Sequence, residues 1–250
     1  MFPAALRYGV TSSKASRQAR NSLLYLLYLE EADAARLLAA LHDVPPQYSA
    51  MVQLGLFTGM RRGEICGLRW SDIDFNASTI SVNRTVEYIP HEGLIFTAPK
   101  TKASNRTFKV GANCMDMLRE YQLYQKAERL RVGSMWARTV QVENGKTVQN
   151  DLLFTSWDGT PFDLERLTTW FPHFLRAHDL PAVHFHSLRH TYASLMIAAH
   201  VPITTVSGRL GHAQTSTTTD IYAGFIRTAD AAASDAMEIV FDNIREKSRA

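Results

Sequence analysis

Hydrophobic residues recur at helical spacing along much of the 250-residue chain. The clearest case lies between residues 164 and 175, where apolar side chains at i, i+3, i+4 and i+7 predict an amphipathic helix. Weaker versions of this pattern, with acidic residues, prolines and glycines at the segment ends, predict further helices. They span about residues 29–41, 48–57, 62–68, 113–130, 187–199, 202–211, 216–222 and 229–245.

The pattern changes between residues 79 and 110, where β-branched and aromatic residues are frequent. Breaks at His91-Glu92-Gly93 and Ala103-Ser104-Asn105 divide this region into about three short strands. Residues 132–150 are polar, contain Asn144-Gly145 and predict a loop or a hairpin. The sequence therefore predicts an α+β fold, a mostly helical domain with one small antiparallel β-sheet of about three strands.

Composition narrows the class of protein. Hydrophobic residues make up 46% of the chain and charged residues 20%, which is enough for a buried core and excludes extensive disorder. No apolar run is long enough to cross a membrane, and the N-terminus lacks the pattern of a secretory signal. Two cysteines, Cys66 and Cys114, cannot form a disulfide framework, so we expect a cytoplasmic protein. The net charge of +3 permits a nucleic-acid partner but does not require one.

The first candidate for chemistry is an arginine at a predicted helix break. Arg61 follows Thr58-Gly59-Met60, and Glu64 lies about one helical turn further on. At such a break the guanidinium can bind an anion, and the carboxylate can orient it. The alternative is an ordinary surface salt bridge between residues three apart, and this segment taken alone favours that alternative.

A second candidate combines histidine and arginine on one helix face. His186 and Arg189 are three residues apart, a spacing that suits proton transfer beside a bound phosphate. His184, His186 and His190 also suggest a zinc hydrolase, but no acidic ligand lies near them and the His-Glu-x-x-His spacing is absent. A partly buried structural histidine is the third interpretation, for His184 and His190 in particular.

Two further segments carry side chains suited to chemistry. Gly211 is typical of a helix C-cap, which leaves His212 on the loop beyond it. Tyr222 lies in a polar stretch rich in threonine, although packing of the ring is the usual role of a tyrosine. Lys100 and Lys102 lie beside a predicted hairpin turn, where they are either solvated or able to donate a proton to a leaving alkoxide.

In their content and order, these segments resemble the tyrosine recombinase, or phage integrase, family. The resemblance is carried by the stretches TGMRRGEICGLRWSDID (residues 58–74), FHSLRHTYAS (185–194) and RLGHAQTSTTTDIY (209–222). It extends over about residues 29 to 235, and the combined pattern is far more specific than any single motif.

The resemblance implies a reaction in which a tyrosine attacks a DNA phosphodiester, forms a 3′-phosphotyrosine bond and releases a 5′-hydroxyl. By resemblance, Tyr222 is the nucleophile, and His186 takes part in transfer of its proton. Arg61 and Arg189 bind the non-bridging oxygens, and His212 adds a hydrogen bond to the phosphoryl oxygen. Lys100 protonates the leaving oxygen. Lys102 is the alternative acid, and Glu64 supports Arg61. The implied chemistry needs no metal or other cofactor, and the chain contains no Gly-x-x-x-x-Gly-Lys-Ser/Thr phosphate loop.

The resemblance also implies an organisation and a set of partners. By this resemblance, residues 29–235 are the catalytic domain, and residues 1–28 are a remnant of a core-binding domain and its linker. Residues 236–250 are a C-terminal helical tail, which docks either on a neighbouring copy or on its own domain. The implied partners are double-stranded DNA with inverted-repeat core sites, further copies in a homotetramer, and an accessory DNA-bending protein. Two other functions stay open, namely DNA relaxation like that of a type IB topoisomerase and a truncated DNA-binding module with impaired recombination.

Overall fold

The structure of the protein is a computed structural model, and it describes residues 28–99, 102–141, 146–216 and 218–219. The helices are α1 (Glu31–Ala40), α2 (Pro46–Thr58), α3 (Arg62–Cys66), α4 (Ala112–Val132), α5 (Leu164–Ala177), α6 (Ser187–Ala198) and α7 (Ile203–Leu210). The strands are β1 (Ile73–Asp74), β2 (Thr79–Val82), β3 (Thr85–Ile89), β4 (Gly93–Thr97), β5 (Arg106–Lys109), β6 (Thr139–Gln141) and β7 (Thr147–Gln149). The predicted α+β class and its mostly helical character are confirmed. No helix in the described ranges is long and apolar enough to cross a membrane.

Two predicted terminal segments lie outside these ranges. Of the predicted core-binding remnant, residues 1–28, only residue 28 is described. The predicted helix over residues 229–245 and the tail over residues 236–250 lie wholly outside the described residues.

Helix α5 follows directly from its apolar spacing. Its first turn is capped by Asp163, whose side chain accepts a hydrogen bond from the backbone N of Glu165 at 2.9 Å. Its buried residues are Leu164, Leu167, Phe171, Phe174 and Leu175. The amphipathic helix predicted over residues 164–175 is therefore present, and its apolar face lies in the main core.

Helix α2 lies at the centre of the domain and packs against both α4 and α6. It is apolar on nearly all sides, as expected for a helix that is surrounded by others. At Gly55 it approaches α6 so closely that an added Cβ atom would lie 2.9 Å from Leu188 Cδ1. Glycine at this position therefore permits the packing that brings the C-terminal end of α2 next to the start of α6.

The strands of residues 79–110 belong to two sheets, whereas the sequence pattern predicted one. An antiparallel three-stranded sheet has the order β1-β2-β5, and β3 pairs with β4 in a separate antiparallel hairpin. The break falls at Asn83 and Arg84, whose side chains both bind the carboxylate of Asp72. These side-chain bonds hold the chain out of the ladder, so that β3 starts a new direction after β2.

Residues 132–150 contain a hairpin, which is one of the two predicted outcomes. Strands β6 and β7 pair antiparallel, and Asn144 and Gly145 lie outside the described residues. The amide of Asn150 closes the base of this hairpin by donating to the carbonyl oxygens of Ala137 and Gly159, each at 2.7 Å.

Replacement of Gly59 by alanine should destabilise the domain. Gly59 ends α2 with a φ of +64°, and an added Cβ atom would lie 2.5 Å from Tyr192 Cδ1. The left-handed backbone and the clash together should lower the free energy of unfolding by roughly 2–4 kcal/mol, measured by urea titration. Gly208→Ala is the control, because Gly208 lies within α7 and has nothing within 4 Å of an added Cβ. That variant should gain up to about 1 kcal/mol; no loss for Gly59→Ala would contradict the packing described.

Candidate active site

Arg189 joins the ends of two helices that are remote in sequence. Its side chain is nearly inaccessible, and the residue is 3% exposed. Nη1 donates to the carbonyl oxygen of Gly59, at the end of α2, at 2.8 Å, and Nη2 donates to that of Leu210, at the end of α7, at 2.7 Å. Carbonyl groups at helix C-termini lack helical partners and carry partial negative charge, so a buried cation is well placed there.

Arg61 precedes the first turn of α3 and is held by Glu64. The Glu64 carboxylate accepts a hydrogen bond from the backbone N of Arg61 at 2.8 Å and another from its Nη1 at 2.9 Å. About 40% of the Arg61 side chain is exposed, so its guanidinium is oriented by the carboxylate and still accessible to a ligand. The oriented arginine that the sequence suggested is therefore the arrangement observed, whereas a solvated surface pair is not, because Glu64 is buried.

Glu64 also binds a second arginine. Arg106, at the start of β5, donates from Nη1 and Nη2 to the two carboxylate oxygens at 3.1 and 2.9 Å. Burial raises the pKa of Glu64, but the hydrogen bonds and charges of Arg106 and Arg61 outweigh it and hold this pKa below its ordinary value. The carboxylate is therefore ionised at neutral pH.

His186 and His190 lie on consecutive turns at the start of α6. Their ring centroids are 5.3 Å apart with the rings nearly perpendicular. Burial, His186 and Arg189 lower the pKa of His190 to about 4. The pKa of the more exposed His186 is also lowered, because the surrounding protein partly removes water from the ring and because Arg189 and Arg61 are positively charged. Both imidazoles are therefore neutral at pH 7, and His186 is the accessible one.

His212 follows Gly211, which ends α7 with a φ of +68°. Burial together with the charges of Arg189 and Arg61 lowers the pKa of His212 to about 4, so its ring is also neutral. Its Nδ1 lies 2.7 Å from Oγ1 of Thr218, a fully buried side chain. When that hydroxyl donates to Nδ1, the proton of the neutral ring lies on Nε2 and is available to an acceptor.

Some of these side chains line a cleft of about 420 Å³. Arg61, Glu64 and His212 line it, and the β3–β4 side contributes Arg84 and Glu87. Arg189 binds the carbonyl oxygens of Gly59 and Leu210, which lie two residues before Arg61 and two residues before His212, and His186 precedes Arg189 by three residues at the start of α6. The structure thus brings together five of the residues proposed from sequence: Arg61, Glu64, His186, Arg189 and His212.

The remaining proposed residues are not placed. Lys100 and Tyr222 lie outside the described residues, and so does the side chain of Lys102, whose backbone begins a short 3-10 turn. The described residues contain no group of three or more histidine, cysteine, aspartate or glutamate side chains arranged to hold a metal ion, so they offer the zinc interpretation no ligand set.

Arg106 belongs to the site although the sequence did not single it out. Its signal was present in the strand periodicity, because Arg106 and Phe108 share one face of β5. That face pairs with Ile80 and Val82, both fully buried. A charged residue on an apolar face requires a buried partner, but the sequence alone could not identify Glu64 as that partner.

Comparison with solved structures agrees with the observed fold. The integrase of transposon Tn1549, solved in complex with transposon right-end DNA, aligns with a TM-score of 0.66 and 19% identity over 78% of this chain and 61% of that chain. The recombinase XerA aligns with a TM-score of 0.60 and 24% identity over 83% of this chain and 63% of that chain.

The sequence also matches known proteins directly. A tyrosine recombinase XerC-like protein of Caldanaerobacter subterraneus subsp. tengcongensis is 35% identical over 185 residues, which cover 71% of this chain and 45% of the relative. The chain spans about half the length of the curated relatives it matches. The family model described as phage integrase family matches residues 28–225, which include all the described segments. This chain therefore belongs to the phage integrase, or tyrosine recombinase, family.

Proposed function

We propose that the chain carries the catalytic domain of a site-specific recombinase or integrase, which cleaves and rejoins DNA through a 3′-phosphotyrosine intermediate. The observation that carries this proposal is that Arg189 binds the carbonyl oxygens of Gly59 and Leu210, and so joins the segment of Arg61 to that of His212 beside a cleft that both of these side chains line. A cationic cleft with neutral proton carriers suits a phosphodiester, which is an anion that gains charge in the transition state.

The arginines stabilise the phosphoryl group. Arg61 presents an accessible guanidinium held from behind by Glu64, and Arg189 adds a buried positive charge fixed to two helix ends. Groups that are already oriented need no reorganisation as charge develops on the non-bridging oxygens, so they favour the transition state over the bound diester.

The imidazoles act on protons and oxygens. Tyr222 is the proposed nucleophile, and a phenol with a pKa of about 10 needs a base at neutral pH. His186 is neutral and accessible, so it accepts the phenolic proton. His212 donates from Nε2 to the phosphoryl oxygen while Thr218 binds its Nδ1. Because Thr218 lies four residues before Tyr222 in the chain, this bond also anchors the segment that leads to the nucleophile.

The leaving 5′-oxygen requires an acid, and Lys100 is the proposed donor, with Lys102 as the alternative. Both lie between β4 and β5, and Pro99 and Ser104, on either side of them, line the same cleft. A lysine on this short connection is therefore proposed to protonate the leaving oxygen of a phosphate bound in the cleft.

We also propose the partners that the resemblance to tyrosine recombinases implies. The substrate is double-stranded DNA carrying inverted-repeat core sites, and a homotetramer and an accessory DNA-bending protein complete the reaction in the cytoplasm. We assign residues 29–235 to the catalytic domain, residues 1–28 to a core-binding segment and its linker, and residues 236–250 to the C-terminal tail. Support for the DNA partner comes from the Tn1549 integrase, whose structure contains transposon-end DNA.

A nicked DNA half-site, in which the cleaved fragment diffuses away, should trap a covalent adduct with this chain. The unchanged chain should form the adduct equally with and without EDTA, because arginines rather than a metal stabilise the phosphate. Tyr222→Phe should form none, because it lacks the phenolic oxygen that is proposed to attack the phosphate. Adduct is measured on denaturing gels.

The outcome separates the alternatives. Adduct together with relaxation of a plasmid that lacks paired sites would favour a topoisomerase-like activity. DNA binding without any adduct would leave only a DNA-binding module. Adduct that persists in Tyr222→Phe would contradict the assignment of the nucleophile.

The acid can be identified by changing the leaving group. Lys100→Ala should slow adduct formation by roughly 10²–10⁴-fold on ordinary DNA. A substrate with sulfur at the bridging 5′ position should restore most of this rate, because a thiolate leaves without being protonated. Lys102→Ala is the matched control and should lose little on either substrate. The reverse result would assign the acid to Lys102, and two variants without any loss would remove lysine from the mechanism.

A further inference from the structure

Arg106 has no part in the reaction steps described above. Its side chain is only 8% exposed and is paired with Glu64, the residue that orients Arg61. Its guanidinium donates to both oxygens of Glu64, to the carbonyl of Ser104 at 3.0 Å and, through Nε, to the carbonyl of Arg209 at 2.7 Å. Such a fork with two parallel bonds to one carboxylate is specific to arginine.

The first consequence concerns charge. Glu64 carries one negative charge and binds two guanidinium groups, so the cluster of Arg61, Glu64 and Arg106 retains a net positive charge. Without Arg106, Glu64 and Arg61 would form a neutral pair. Arg61 would then be held more tightly by the carboxylate and would offer less charge to an anion in the cleft.

The second consequence concerns position. The Nε bond to Arg209 holds the end of α7, two residues before Gly211 and three before His212. At Gly211 an added Cβ atom would lie 2.9 Å from Arg106 Nη1, so the loop passes directly over the guanidinium. The same side chain therefore contacts the carboxylate that orients Arg61 and the loop that carries His212.

We propose that Arg106 is a positioning residue for phosphoryl transfer: it binds Glu64 so that Arg61 is oriented and keeps its charge available to the phosphate, and it fixes the loop of His212. This inference rests on the proposed function, because it specifies how the same cleft is organised. Arg106 itself need not touch the DNA.

The test measures adduct formation on the nicked half-site at saturating DNA, together with the apparent Kd for that DNA and the thermal unfolding of each variant. Arg106→Gln should slow adduct formation at saturation by roughly 10–10³-fold, while the Kd changes by less than about threefold, because the effect is on oriented groups rather than on binding. Arg106→Lys keeps the charge but cannot bind both carboxylate oxygens, so it should recover only part of the rate.

A double-variant cycle with Glu64→Gln tests the route of the effect. If Arg106 acts through Glu64, the loss in the double variant should be clearly smaller than the product of the two single losses. Arg119→Gln is the matched control, since it removes an arginine that is paired with Asp116 at 2.7 Å on the exposed face of α4. That control should leave the rate unchanged.

Each other outcome overturns the inference. A full rate at saturation in Arg106→Gln, with only a lower unfolding temperature, would make Arg106 a purely structural residue. Losses that multiply in the double variant would show that it does not act through Glu64. If Arg106→Gln does not fold, a full rate in Arg106→Lys would likewise show that Arg106 has only a structural role. If the unchanged chain forms no adduct, the proposed function and this inference are both overturned. If the unchanged chain forms the adduct and the Arg106 variants lose no rate, only this inference is overturned.

Discussion

The site depends on one constraint, a carboxylate that is buried and yet ionised. Glu64 is 4% exposed, and an uncompensated charge there would cost several kcal/mol, on the order of the stability of a domain. The chain compensates it with Arg61 on one side and Arg106 on the other. Because two cations bind one anion, the cluster is positively charged. Burial is the main cause of the lowered pKa values of His186 and His212, and the charges of Arg189 and Arg61 add to it. The same charges make the cleft attractive to an anion.

The positions of these groups are set by the ends of helices. Two glycines with left-handed backbone, Gly59 and Gly211, end α2 and α7 and expose carbonyl groups around the guanidinium of Arg189. The apolar packing of α2 against α6 keeps these ends in place, and Gly55 allows the two helices their close approach. A rigid core therefore supports short polar segments, and the segments carry the candidate chemistry.

Much of this could be predicted from the sequence, and the failures have physical reasons. The helix predicted over residues 164–175, which the structure extends to Ala177, was evident because its apolar face is continuous. The separation of β3 and β4 from the three-stranded sheet was missed, because it depends on long-range bonds from Asn83 and Arg84 to Asp72, which leave no local pattern. Local pattern gives the type of an element, whereas sheet partners depend on contacts between distant residues.

The candidate site shows the same division. Arg61, His186, Arg189 and His212 were proposed from motifs whose order resembles a family, and in the structure Arg189 joins the segments that carry the other residues. Arg106 was missed, because nothing within its own segment indicates that it shares Glu64 with Arg61. The roles of these residues stay proposals, and those of Lys100 and Tyr222 concern residues that the structure does not describe.

The central claim is that arginines from two separate segments act on a single phosphate. A crystal structure of the Tyr222→Phe variant bound to an intact DNA half-site tests it most directly. The account predicts that guanidinium nitrogens of Arg61 and Arg189 both lie within about 3.2 Å of oxygens of the same phosphate, with His212 Nε2 on one of those oxygens. A scissile phosphate held by only one of the two arginines, or bound outside the cleft, would contradict the account.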